Sequence, residues 1–214
     1  IDVDKDLSTF SSSSATLNLP TVENKKIAYV GLYWSATYIY TSGERTKNGK
    51  FKAIDKKRDD FTQIKLQLPG ENNYVDIKGT TIFDGFKKID FEESAPYAVY
   101  ADITKLVSNL KNPNGQYTVA NIKATQGMIE GGVSGGWTMF IVYEDHNESA
   151  KFITSYDGFA GVTDKSTEIQ YTGFQTLPQG SVKAKLACAG LEGDNNLSGD
   201  QLQIKGKESK KFSL

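Results

Sequence analysis

The longest apolar run in the chain, residues 135–144, constrains the fold more than any other stretch. It reads Gly-Gly-Trp-Thr-Met-Phe-Ile-Val-Tyr-Glu and is closed by the polar residues 145–148. A short run of this kind, bounded by turn residues and rich in β-branched and aromatic side chains, is typical of a buried β-strand. A second apolar run, residues 152–156, follows at once. The pair predicts a central β-hairpin whose first strand is buried on both faces.

Shorter strand-like segments recur along the rest of the chain. Residues 61–68 place Ile64, Leu66 and Leu68 on one face and polar side chains on the other, which is the period of a half-buried strand. A parallel sheet would need a crossover helix for each strand, and the chain offers few helical patterns. We therefore predict an all-β fold, an antiparallel β-sandwich or jelly-roll-like single domain over residues 1–214.

One short helix is predicted near residues 102–110. Asp102 suits the N-cap position, and a set of apolar residues follows it at helical spacing. These residues are Ile103, Leu106, Val107 and Leu110. Ahead of the first strand, the polar residues 1–10 are predicted to form an N-terminal arm.

Several other segments give predictions that a structure can test. Residues 42–60 hold seven Lys/Arg and four Asp/Glu side chains. This favours a mixed-charge loop, with a basic patch for phosphate or acidic polysaccharide as the alternative. Residues 167–172, 180–189 and 201–204 are predicted strands. Cys188 is the only cysteine, which excludes an internal disulfide, and its alternating apolar neighbours predict a place in the core.

No catalytic constellation stands out. His146 is the only histidine and lies in a predicted turn, without a recognisable partner for general-base work. The sequence has no Cys/His metal spacing, nucleophile elbow or phosphate loop. We predict that the protein is not an enzyme and has no catalytic residues. The carboxylate pair of a glycoside hydrolase stays open as an alternative, because spacing along the sequence does not reveal such a pair.

Charge and hydropathy limit the partners. A net charge of −1 gives no reason to expect nucleic acid or an anionic membrane surface. No apolar run is long enough to predict a membrane span. The sequence begins at Ile1 and ends at Leu214 without punctuation. We interpret it as a fragment or processed module of a longer protein.

Calcium is the only cofactor that the sequence suggests. Residues 191–200 alternate oxygen-bearing side chains, as calcium loops do, although an Asn-, Asp- and Gly-rich hairpin turn explains the same pattern. The candidate ligands are Asp194, Asn196, Ser198 and Asp200. A weaker candidate is the alternating acidic set at the start of the chain, for which a solvated arm is the alternative. Its members are Asp2, Asp4 and Asp6.

Several short stretches, in order across residues 2–202, resemble large cell-surface and secreted proteins of Bacteroidetes exported by the type IX system, of which the gliding-motility adhesins are the best known. The matching stretches are residues 2–4 with 11–17, 31–34, 101–104, 117–121, 136–144, 157–159, and 192–194 with 199–200. The pattern departs from the family at Ser35-Ala36, where glycines are expected, and in the charged segment 42–60. These departures argue against a ligand shared with the family more than they argue against a shared fold.

The resemblance implies a non-catalytic, extracellular module of a bacterial adhesin that serves adhesion or surface-filament structure. Its partners would be other domains of the same chain and surface glycans or solid surfaces, with neither nucleic acid nor membrane insertion. A carbohydrate-binding or lectin-like domain is the alternative, and it predicts exposed aromatic side chains. The candidates are Tyr33, Trp34, Tyr38 and Tyr40. An intramolecular Lys–Asn isopeptide bond is a further hypothesis.

Overall fold

Strands dominate the computed structural model of this chain. It describes residues 1–20, 25–162, 166–175, 179, 183–190 and 201–204, and the backbone of 210–213. The strands are β1 Ser12–Leu17, β2 Lys26–Thr37, β3 Ser42–Arg45, β4 Phe51–Asp55, β5 Gln63–Gln67, β6 Tyr74–Lys78, β7 Thr80–Asp84, β8 Pro96–Asp102, β9 Gly115–Ala120, β10 Gln126–Gly127, β11 Gly135–Glu144, β12 Gln201–Ile204 and β13 Lys210–Ser213. The predicted all-β, sandwich-like fold is confirmed.

Two four-stranded antiparallel sheets form the body of the sandwich. The front sheet has the order β1-β9-β5-β6, and the back sheet has the order β11-β2-β8-β7. Alternate residues of each strand point inward, as the two-residue period of a strand requires. Leu32 and Trp34 of the back sheet and Ile64 and Leu66 of the front sheet are all buried in one core cluster.

Both tryptophans lie between the sheets and donate their indole N–H groups there. Trp34 Nε1 donates to the Phe61 carbonyl at 3.0 Å, and Trp137 Nε1 donates to Ser13 Oγ at 2.9 Å. A buried indole usually finds such a partner because an unpaired N–H is costly in a low-dielectric core. Trp137 is partly buried and packs against the core cluster.

The predicted central hairpin is wrong, although its first strand exists. The run 135–144 forms β11, but within the described residues β11 pairs only with β2 and is the edge of the back sheet. Residues 152–156 lie outside any strand, and Phe152 and Ile153 are 58% and 60% exposed. The central strand is β2, twelve residues long, between β11 and β8. An apolar run indicates burial of two faces, but it does not show which strand has two neighbours.

The charged segment 42–60 is not a loop but carries the ribbon of β3 and β4, which extends through β10 into a small third sheet. Glu44 and Lys52 face each other across this ribbon with an ion pair of 2.9 Å. Opposite charges at directly opposed positions stabilise strand pairing. A solvent-exposed ribbon therefore needs no apolar alternation, which explains why its pattern was misread.

The helix α1, Thr104–Ser108, lies where it was predicted but is shorter. The predicted N-cap, Asp102, lies one residue too early, because Ile103 occupies the N-cap position without a side-chain cap. Asp102 Oδ1 accepts a hydrogen bond from the Thr104 amide at 2.9 Å, and Val107 is fully buried. Apart from a 3₁₀ turn at Ile89–Phe91, no other helix occurs in the residues placed by the structure, and no helix there is long and apolar enough to cross a membrane.

The sequence predictions for the C-terminal part of the chain have mixed outcomes. The strand at 201–204 is confirmed as β12, which pairs with β13. Residues 167–172 and the described part of 180–189, residues 183–189, are in no strand. Cys188 is exposed, so its predicted place in the core is wrong. Alternating apolar residues do not by themselves bury a segment, because their apolar side must also pack against another sheet.

Candidate functional site

A row of polar side chains crosses the outer face of the front sheet. The strand register places Ser14 opposite Thr118, Thr118 opposite Gln67, and Gln67 opposite Tyr74, so one residue comes from each of the four strands. The Ser14 and Thr118 hydroxyls lie 2.8 Å apart and share a hydrogen bond. We call these four residues the polar row. They face outward because their neighbours in sequence, such as Leu66 and Val119, point into the core.

The N-terminal arm, residues 1–10, folds back against this face. The Ser12 amide donates to the Ile1 carbonyl at 3.1 Å, and the Ser12 hydroxyl donates to Asp2 Oδ1 at 2.8 Å. Further along the arm, the Tyr74 hydroxyl donates to Asp4 Oδ2. The arm is therefore held to both outer strands of the front sheet, β1 and β6.

Asp4 and Asp6 also shape turns within the arm. Asp4 Oδ1 accepts from the Asp6 amide at 2.8 Å, and Asp6 Oδ1 accepts from the Ser8 amide at 2.8 Å. The hydroxyl of Thr9 donates to Asp4 at 3.2 Å. Aspartate side chains commonly bond the backbone two residues on in this way. The arm is thus a folded element, which is more than the solvated tail that the sequence allowed.

The pKa values of the Asp4–Tyr74 pair move in opposite directions. Partial burial opposes ionisation of Asp4, but hydrogen bonds from Tyr74, the Asp6 amide and Thr9 outweigh it and hold the pKa of Asp4 below its usual 3.8. Partial burial, and then the hydrogen bond to the carboxylate, raises the pKa of Tyr74 well above its usual range. At neutral pH the contact is a charge-assisted hydrogen bond between a phenol and a carboxylate.

A groove of 410 Å³ lies between the arm and the polar row. The arm contributes Asp4 and Asp6, the sheet contributes the polar row and Gln116, and the β5–β6 turn contributes Asn72. A second depression of 350 Å³ shares Gln67 and Gln116 with it and continues past the β5–β6 turn to the segment after α1. Together they form a polar strip along the outer surface, which we call the front groove.

The outer face of the back sheet has a different chemistry. Tyr29, Tyr33 and Tyr100 cluster there with Phe140, and we call these four residues the back patch. The rings of Tyr33 and Tyr100 are 4.9 Å apart, and those of Tyr33 and Phe140 are 5.8 Å apart. The Tyr29 hydroxyl donates to the Tyr100 hydroxyl at 3.2 Å. Burial, and then this bond, raises the pKa of Tyr29 far above its usual value.

The aromatic residues predicted as a carbohydrate platform are not brought together. Trp34 and Tyr38 are 1% exposed and belong to the core, so they cannot contact a ligand. Tyr33 and Tyr40 are half-buried, and Tyr33 lies in the back patch. Tyr74, the one aromatic residue of the front groove, was missed. The alternation of residues 74–78 hints that Tyr74 borders a sheet face, but only the register shows that it completes the polar row.

The predicted calcium ligands do not form a cluster where the structure places them. Asp2 and Asp4 accept hydrogen bonds from the sheet, and Asp6 accepts one from within the arm. Within the described ranges, no group of three or more His, Cys, Asp or Glu side chains is arranged to hold a metal ion. The loop with Asp194, Asn196, Ser198 and Asp200 lies outside the described residues, and its calcium site stays a prediction.

Comparison of the chain with protein-family models, curated proteins and solved structures finds no match. The resemblance to type IX adhesins therefore stays a prediction. Function has to be argued from the chemistry of the front groove.

Proposed function

We propose that this chain is a non-catalytic, extracellular adhesion module of a large bacterial cell-surface protein, and that it binds glycans through the front groove. The observation that supports this most is the polar row, which spans all four strands of the front sheet and is bordered by the arm. Sheet faces of this kind present many side chains to one extended ligand without any need for a deep cavity.

The groups along the groove match the chemistry of sugars. Each sugar hydroxyl donates and accepts hydrogen bonds. Gln67 and Gln116 offer both functions, as does the hydroxyl of half-buried Ser14, while the carboxylate of Asp6 accepts only. Half-buried Tyr74 adds the apolar ring surface that sugar rings use for stacking. The adjoining depression lengthens the strip, which favours an oligosaccharide over a single sugar.

The electrostatics of the groove favour binding over catalysis. Glycoside hydrolysis needs a carboxylic acid whose raised pKa keeps it protonated as a proton donor. Asp4, which lines the groove, has a lowered pKa and is engaged by Tyr74 and Thr9. It is therefore suited to hold the arm and accept hydrogen bonds. This supports a module that retains its ligand unchanged.

A carbohydrate-binding module that is attached to an enzyme is the second candidate, and the same groove favours it. The two proposals differ in the surroundings of the chain. An adhesin module would be flanked by further β-domains, whereas a carbohydrate-binding module would be flanked by a catalytic domain. The coding sequence on either side of this segment discriminates between them.

Removing the side-chain amides of Gln67 and Gln116, which line both depressions of the front groove, tests the ligand class. The double variant Gln67→Ala/Gln116→Ala should bind an array-selected oligosaccharide about 30-fold more weakly, because each lost hydrogen bond contributes about 1 kcal/mol. Isothermal titration calorimetry gives the measurement. Gln63→Ala is the matched control, since Gln63 is exposed on the same strand and lies outside the groove. An array without a retained glycan, or equal losses in control and double variant, would refute the proposal.

A further inference from the structure

The free edge of β11 is the least protected sheet edge in the described chain. β11 is ten residues long, and from Gly135 to Tyr143 it carries neither a charge nor a proline. Its last residue, Glu144, is paired with Lys26 at 3.2 Å. Soluble proteins usually guard such edges with charges, prolines, bulges or short strands, because an open edge pairs with another strand. The only such feature in β11 is a register shift between Val142 and Tyr143.

The other edges of the two sheets are better protected. β7 and β6 are five residues each, with Asp84 on the former and Asp76 and Lys78 on the latter. β1 has six residues and is dominated by hydroxyl side chains. β11 is thus the longest and most apolar edge, and its exposure calls for an explanation.

The described residues that follow β11 leave this edge open. After the turn at residues 145–148, Asp157 lies 3.5 Å from the Tyr33 hydroxyl, over the outer face of the back sheet. Phe159 then stacks on Phe83 of β7, with ring centroids 4.4 Å apart. The segment therefore crosses the outer face toward the opposite edge of the sheet. Among the residues that the structure describes, β2 remains the sole strand partner of β11.

We propose that the edge of β11 pairs with the β11 edge of a second copy of this chain, joining two back sheets into one eight-stranded sheet. A second copy fits because the edge is self-complementary in charge and pattern. Two-fold symmetric dimers are the commonest oligomers, and their interface uses the same patch on both subunits. An uncharged strand meets no like-charge repulsion when it faces itself antiparallel.

The two-residue period of the strand limits the register. In a two-fold antiparallel pair the numbers of opposed residues have a constant sum, and inward residues must oppose inward residues. That sum must be even, so one residue of the strand lies directly opposite its own copy across the two-fold axis. With Phe140 opposite its own copy, the two phenyl rings face each other. Met139 then faces Ile141, and Trp137 faces Tyr143. The two back patches then meet as one aromatic surface.

A charged side chain in place of Phe140, next to the two-fold axis, tests the dimer. Wild-type protein should change from monomer to dimer over about 1 to 100 micromolar in sedimentation velocity, as expected of an interface built from one strand pair. Phe140→Lys places two ammonium groups opposite each other and should abolish the dimer. Thr80→Lys is the matched control, because Thr80 is exposed on the outer face of β7, the far edge of the same sheet. It should dimerise as wild type does.

Cross-linking tests the register and does not depend on the lysine variant folding. In a Cys188→Ser background, Phe140→Cys should form an intermolecular disulfide rapidly, because each new thiol faces its own copy. Thr138→Cys should cross-link much more slowly, because its partner is Val142. A wild-type monomer throughout the series, loss of the dimer in Thr80→Lys, or equal cross-linking at both positions would overturn the proposal. Because the groove lies on the other sheet, glycan binding by Phe140→Lys reports on the proposed function separately.

Discussion

The two outer faces of this sandwich enclose the same core but differ in chemistry. The front face carries hydroxyls, amides and carboxylates, and the folded arm borders it. The back face carries three tyrosines and Phe140, and it ends at an uncharged edge that no other described strand pairs with. The strands alternate in both sheets, so the difference comes only from the residues at outward positions. A polar outer face offers hydrogen bonds to a soluble ligand, whereas an aromatic outer face offers apolar area to another protein surface.

The largest effect is expected from a substitution in the core, because the core lies beneath both outer faces. Trp34→Ala removes a 1%-exposed side chain from the core between the sheets and should lower the free energy of unfolding by about 3–5 kcal/mol. Chemical denaturation measures this loss. Both faces should fail together, so glycan binding and dimerisation should fall in parallel. A variant that loses only one of them would show that the two sheets are energetically separable.

A smaller and one-sided effect is expected from Gly31→Ala on the back face. A Cβ at Gly31 would lie 2.3 Å from the Tyr29 hydroxyl oxygen and 2.9 Å from the adjoining ring carbon, so the ring must move. Overpacking of this kind costs about 1–3 kcal/mol, again measured by denaturation. Gly136→Ala is the control on the same sheet, since its Cβ would meet no atom within 4 Å.

This glycine pair also separates the two faces. Gly31→Ala should disturb the Tyr29–Tyr100 contact, and with it the dimer, while the folded fraction keeps its glycan affinity. An equal loss of stability in both glycine variants would contradict the crowding seen at the back patch.

The smallest effect is expected from pH, and only on the front face. The pKa of Asp4 is lower in the folded state than its usual 3.8, so its contribution is present above that value and is lost as pH falls through the folded-state pKa. Because the pair is partly exposed, we expect at most about 1 kcal/mol. Nuclear magnetic resonance of the arm amides across pH 2 to about 6 should show the arm detaching.

Tyr74→Phe is the variant that sharpens this test, because it removes the donor and leaves the ring. It should loosen the arm at neutral pH and raise the pKa of Asp4. Tyr100→Phe makes the same chemical change on the back face and should leave the acid transition of the arm unchanged. An arm that stays ordered in Tyr74→Phe would show that the Ser12 contacts suffice to hold it.

Much of the fold could be predicted from local pattern. The alternation of residues 61–68 and the existence of a short helix after Asp102 were interpreted correctly, because each signal lies within a few neighbouring residues. The ribbon of β3 and β4 was missed because its stability comes from cross-strand pairs such as Glu44 with Lys52, which are not apolar. The edge position of β11 was missed because a strand's number of neighbours is not a local property.

The candidate site could be predicted only in its parts. Asp2, Asp4 and Asp6 were identified as an unusual set and predicted as weaker calcium ligands. Their contacts with Ser12 and Tyr74 depend on how the arm folds back, which the sequence did not show. Gln67 and Thr118 carry no signal of their own. They become part of a site because β5 and β9 pair in a register that sets them side by side.

The sequence by itself determined the all-β class, the strands with clear apolar alternation and the apolar side of those strands, because these follow from the two-residue period and the conformational preferences of short segments. The tertiary structure alone decided which strands are central, which outward residues share a face, and where the arm lies. Those depend on pairing between residues far apart in the chain, such as Ser14 with Thr118 and Tyr74 with Asp4. Long-range pairing is selected by the summed burial and hydrogen bonding of the whole domain, and no single stretch encodes it.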